Sequence, residues 1–68
     1  MIEVFKTSVT EERSEALLEL LQRHFPESEI NFDLDDCDKI LRIKSDRIDI
    51  HFIVTLMNEQ GFHCEVLE

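Results

Sequence analysis

Two stretches with helical periodicity, each flanked by short alternating runs, constrain this chain more than any other feature. Residues 1–7, MIEVFKT, alternate, with Ile2 and Val4 on one side and Glu3, Phe5 and Thr7 on the other. The two apolar residues predict a strand that buries Ile2 and Val4. In the segment after Thr10, Leu17, Leu21 and Phe25 recur at intervals of four with Leu20 beside them, which makes one buried stripe of a helix. Ser8 with Glu11 three residues on has the form of a capping box, and Pro26 ends the helix. Glu29 to Leu34 alternate, with Ile30, Phe32 and Leu34 on one face. The polar run Asp35-Asp36-Cys37-Asp38 suits a turn, and Lys39 to Lys44 pair back with Leu41 and Ile43 inward. Asp49 is a candidate N-cap for a second helix burying Ile50, Ile53, Val54 and Met57, with Phe52 at its margin. Gly61 sits where a helix-terminating glycine belongs, and Phe62 to Leu67 make a last strand with Cys64 and Val66 inward.

The order is β-α-β-β-α-β. With right-handed crossovers it folds into an α+β, ferredoxin-like sandwich, with two helices on one face of a four-stranded antiparallel sheet. The 68 residues allow a single domain spanning 1–68. A core of this size stabilises by roughly 3–5 kcal/mol, and a deep substrate pocket would remove much of it. No nucleophile–base, phosphate-loop or dinucleotide signature is present, so the chain is expected not to be an enzyme and to need no cofactor.

Sixteen acidic residues against seven basic ones give a formal charge of −9. That charge repels phosphate backbones and anionic lipid headgroups, so nucleic acid and membrane are excluded as partners. A protein partner, such as one with a basic patch, fits better; otherwise the charge serves solubility alone. The first residues have no basic, then apolar, leader pattern, and no apolar run approaches the length of a membrane span. Two cysteines do not make a disulfide framework. A cytoplasmic location with Cys37 and Cys64 as free thiols is expected.

Along nearly its whole length the chain resembles the heavy-metal-associated domain of copper chaperones. The resemblance is carried by the segments IEVF, EALLELL, DKILRI and IVTLMNEQGFHCEVL, and above all by helix, Gly61, Phe62 and then the small inward Cys64. It implies the same ferredoxin-like fold. The metal motif of that family, Met-x-Cys-x-x-Cys in the first loop, is lost here. Its best match is Val9-Thr10-Glu11-Glu12-Arg13-Ser14, which puts Glu11 and Ser14 at the cysteine positions. Neither is a soft ligand for monovalent copper.

Three surfaces remain as candidates. Cys37 and His63, with Asp36 or Asp38, would lie at one end of the fold and could supply mixed ligands to a zinc-like ion. Opposing this, the hairpin and the last strand occupy opposite sheet edges. The segment from Asp33 departs from a calcium loop by placing Cys37 at an oxygen-ligand position, Asp38 at the glycine position and Lys44 at the closing glutamate position. His24 and His51 are isolated, with no i, i+4 partner. The open sheet face is the third candidate: Phe5, Ile40 and Leu67 are expected to point away from the helices, ringed by Glu3, Arg42, Lys44 and Glu65. An apolar centre with a charged rim is the form of a modest interface, although small domains always expose some apolar side chains. The sequence therefore leads to a non-catalytic binding or adaptor domain, a monomer or weak homodimer, with metal binding through Cys37, His63 and acidic residues as the alternative.

Overall fold

The computed structural model describes residues 1–67. Six elements follow in order: β1 (Ile2–Thr7), α1 (Glu11–His24), β2 (Glu29–Asp33), β3 (Ile40–Lys44), α2 (Ile50–Glu59) and β4 (Cys64–Val66). The strands form one antiparallel sheet in the order β2-β3-β1-β4. Each helix connects two strands separated by a third that runs the other way, which is the ferredoxin-like arrangement. Leu17 and Leu21 of α1 and Ile53, Leu56 and Met57 of α2 meet Phe5, Leu41, Ile43 and Cys64 in one core on one side of the sheet.

The face of β1 that enters this core is the opposite of the one expected. Phe5 stands directly across from Leu41 on β3 and Val66 on β4, and Thr7 across from Cys64. Directly opposed residues share a face, so Phe5 and Thr7 follow Leu41 and Cys64 inward. Phe5 is completely buried, while Ile2 is 57% exposed. Phe5 therefore leaves the open face and joins the core. Two physical terms favour this choice. Phenylalanine buries more apolar area than either competing aliphatic residue. The buried Thr7 is also not a cost: its hydroxyl donates to the Lys39 carbonyl at 2.6 Å and accepts from the Val9 amide at 3.1 Å. Glu3, at the strand's end, is only half-buried.

Both ends of α2 are closed by local chemistry. Asp49 Oδ1 accepts the Phe52 amide at 3.1 Å. At the other end the Phe62 amide donates to the Met57 carbonyl and the Gly61 amide to the Asn58 carbonyl, each at 3.0 Å. This is the paired bonding of a Schellman motif, and it places Gly61 at φ +91°, where glycine carries no Cβ penalty. Along the helix, Leu56 is buried in place of Ile50, which is 37% exposed.

Helix α1 starts at Glu11 with Thr10 as N-cap and no side-chain capping bond. The expected capping box from Ser8 does not form, because Ser8 lies two residues upstream. Its Oγ accepts the His63 amide at 2.9 Å and so holds the approach to β4 against the end of β1. Pro26 follows the C-cap Phe25, and Gln22 Nε2 closes the turn into β2 by donating to the carbonyls of Phe25 and Ser28. The last strand is shorter than the alternation suggested, covering Cys64–Val66 rather than Phe62–Leu67. No helix among the described residues is long and apolar enough to cross a membrane.

Candidate binding surface

With both helices on one side, the pairing register fixes what the other side presents. Glu29, Lys44 and Ile2 form one row across the strands; Asn31, Arg42, Val4 and Leu67 the next; and Asp33, Ile40, Lys6 and Glu65 the third. Leu67 joins its row through its amide, which donates to the Val4 carbonyl at 2.8 Å. Of the three residues expected on this face, the structure keeps two and removes one. Leu67 is 40% exposed, Ile40 points outward but is only 5% exposed, and Phe5 belongs to the core. Ile2 and Val4, assigned to the interior by the strand pattern, supply the apolar strip instead. A shallow depression of about 250 Å³ opens beside it, lined by Ile2, Glu29, Ile30, Asn31, Arg42 and Lys44.

The charges on this face balance. Among the described residues Lys6, Arg42 and Lys44 stand against Glu29, Asp33 and Glu65, so the described face is neutral on a chain with a formal charge of −9. Four of the six have exposed partners, in three pairs each at 3.7 Å: Lys44 with Glu29, Lys6 with Asp38, and Glu65 with His63. Exposed pairs of this length contribute at most about 1 kcal/mol each and arrange the surface more than they stabilise it.

The first loop is built for packing. Val9 is completely buried in the core. Glu11 and Ser14 lie in the first turn of α1, where the Ser14 hydroxyl donates to the Glu11 carbonyl at 2.8 Å. Neither side chain is a soft donor, and the serine oxygen is engaged within its own helix.

The hairpin tip gathers Asp36, Cys37 and Asp38, whose ligand atoms lie within 4.8 Å of one another. The turn is held by Asp36: its Oδ1 accepts the Asp38 amide at 2.8 Å and its carbonyl the Lys39 amide at 3.0 Å. Lys39 takes φ +49° to finish the reversal. His63 is not part of this cluster. The Asp38 carbonyl accepts from Thr7 and the His63 carbonyl from Ser8, so the end of β1 lies between the tip and His63. This separation agrees with the opposite-edge argument against a shared Cys37 and His63 site, and among the described residues the tip cluster holds only Asp36, Cys37 and Asp38. Cys64 is no ligand substitute either, since burial, reinforced by the neighbouring Glu65, pushes its thiol up to about 11. At neutral pH it is a protonated core residue.

One feature went unread in the sequence. His24, Phe25 and Phe52 form a cluster where the end of α1 meets the start of α2, with Phe52 5.7 Å from each of the other two rings and edge-on to Phe25. Phe52 is 43% exposed and borders a depression of about 290 Å³ with Asp49, His51, Thr55 and Glu59. A signal existed in the spacing: Phe52 follows Ile50 and precedes Ile53, so it falls beside the buried stripe of α2 rather than within it. The neighbouring carboxylates give this second apolar spot the acidic character of the rest of the surface.

Scans against family models, against curated proteins and against solved structures each find nothing that matches this chain.

Proposed function

We propose that this chain is a non-catalytic, cytoplasmic protein-binding domain that works through its open sheet face. The observation carrying this reading is the contrast on that face: an apolar strip of Ile2, Val4 and Leu67 within balanced charges, on a molecule whose remaining surface is strongly acidic. An apolar centre with a polar rim is the anatomy of a protein interface. The sequence resemblance to copper chaperones is in keeping with the same reading: on that resemblance Val9, Glu11 and Ser14 would stand at the metal-loop positions, and here they serve core packing and the start of α1.

A photo-crosslinking amino acid at Ile2, compared with one at Glu19 on α1, tests this reading in cell extract. Protein adducts from position 2 and not from position 19 are expected. Equal adducts from both positions, or none from position 2, contradict it. The closeness of Asp36, Cys37 and Asp38 favours metal-ion binding as the second reading. On the leading reading, zinc titration followed by NMR leaves the hairpin-tip resonances unmoved. Saturable shifts at Cys37 that disappear in Cys37→Ser would instead support the metal.

A further inference from the structure

Two copies of a chain with a charge of −9 repel one another over most of their surfaces. Helix α1 alone exposes Glu11, Glu12, Glu15 and Glu19 against Arg13 and Arg23. The open sheet face is the exception, because among the described residues its three cations and three carboxylates cancel. We propose that this face is a self-association surface and that its occupant is a second copy of this chain. The proposal rests on the reading of the face as a binding surface and names the partner.

Charge selects the occupant. A basic partner is drawn to the carboxylates elsewhere on the molecule, and an acidic one gains no net attraction from a neutral face. A partner carrying the same mixture of signs around the same apolar strip is complementary, and a second copy is such a partner. The pairs Lys44–Glu29, Lys6–Asp38 and Glu65–His63 leave Arg42 and Asp33 as the cation and carboxylate of the face without an ion-pair partner among the described residues. In a two-fold contact the same patch is used on both subunits. Each copy then brings one free charge of either sign to the interface. The strip is small, so association is weak. Because the net charges of the two copies still repel, association tightens as salt shortens the Debye length. A complex held by opposite net charges loosens under the same change.

Sedimentation equilibrium of the full chain, carried into the millimolar range at low and high sodium chloride, tests the proposal. A monomer–dimer equilibrium that tightens with salt is expected. Arg42→Glu takes the face from neutral to two negative charges, and in a two-fold dimer it does so on both sides. It should weaken association at least about tenfold, since like charges brought together at an interface cost several kcal/mol. Leu67→Lys should weaken it as well, through the apolar strip, and serves if Arg42→Glu fails to fold. Glu15→Lys on the helix side should not weaken it. A chain that stays monomeric into the millimolar range at high salt overturns the proposal. So does a dimer indifferent to both Arg42→Glu and Leu67→Lys. A monomer whose position 2 still crosslinks to other proteins overturns the second copy alone and leaves the binding-domain reading in place; failure of both removes the two together.

Discussion

The two faces of this sheet are built from the same strands and differ in what each residue is asked to do. On the helix-covered face, Phe5, Leu41, Ile43 and Cys64 are packed to exclusion of water. On the open face, Ile2, Val4 and Leu67 are left partly in water among balanced charges. The buried core lies on the first face, and on the second only Ile40 is comparably buried. A substitution one residue along β1 therefore crosses from one regime to the other, and the contrast can be broken or sharpened at single positions.

The largest effect is expected at Phe5. Truncating a buried phenylalanine costs about 3–5 kcal/mol, which matches the whole stability expected of a core this size. Phe5→Ala should leave the chain largely unfolded by circular dichroism, while Ile2→Ala and Val4→Ala retain cooperative melts. Equal losses at positions 2 and 5 would contradict the assignment of faces.

The next effect is alkaline. The Cys64 thiol is held protonated to about pH 11 in the folded chain against an ordinary value of 9.0. Its folded value is raised, so the associated stability is complete below pH 9 and is lost as pH rises from 9 to about 11. A two-unit difference corresponds to roughly 2–3 kcal/mol. Cys64→Ala should flatten the fall in urea midpoint across that window. In the same range the exposed Cys37 should react quickly with a thiol reagent and Cys64 slowly while the protein remains folded.

A smaller effect is expected at the start of α2. Asp49→Ala removes the one side-chain cap on that helix, at about 1 kcal/mol. Thr10→Ala, at the uncapped start of α1, should cost less. Smallest of all, Leu67→Lys and Arg42→Glu should change stability by no more than about 0.5 kcal/mol, the usual range for surface positions, while changing association.

Element order, the stripe on α1, the Asp49 cap and the Gly61 stop were all legible in the sequence, because each depends on local spacing and backbone chemistry. The face of β1 was not. Both of its alternating sets contain apolar residues, and only pairing with Leu41 and Val66 decides between them. The set with Ile2 and Val4 holds two aliphatic residues before Lys6, while the other holds a single apolar residue between Glu3 and Thr7, a pattern that favours Ile2 and Val4 as interior. The size of Phe5 and the two hydrogen bonds that satisfy buried Thr7 reverse that judgement. A helix-free sheet face was thus legible from the element order, whereas Phe5 belongs to the core and not to that face. Ser8 misled for a related reason: its partner is the His63 amide, 55 residues away, which no local capping rule can find.

The central claim, that the open face is the working surface, is tested most directly by NMR on the labelled chain through a concentration series at high salt. Progressive shifts are predicted at Ile2, Val4, Lys6, Arg42, Lys44 and Leu67, with α1 and α2 unmoved and the same shifts absent in Arg42→Glu. Shifts centred on Ile50 and Phe52 at the helix side, or spectra that do not change with concentration, would contradict it.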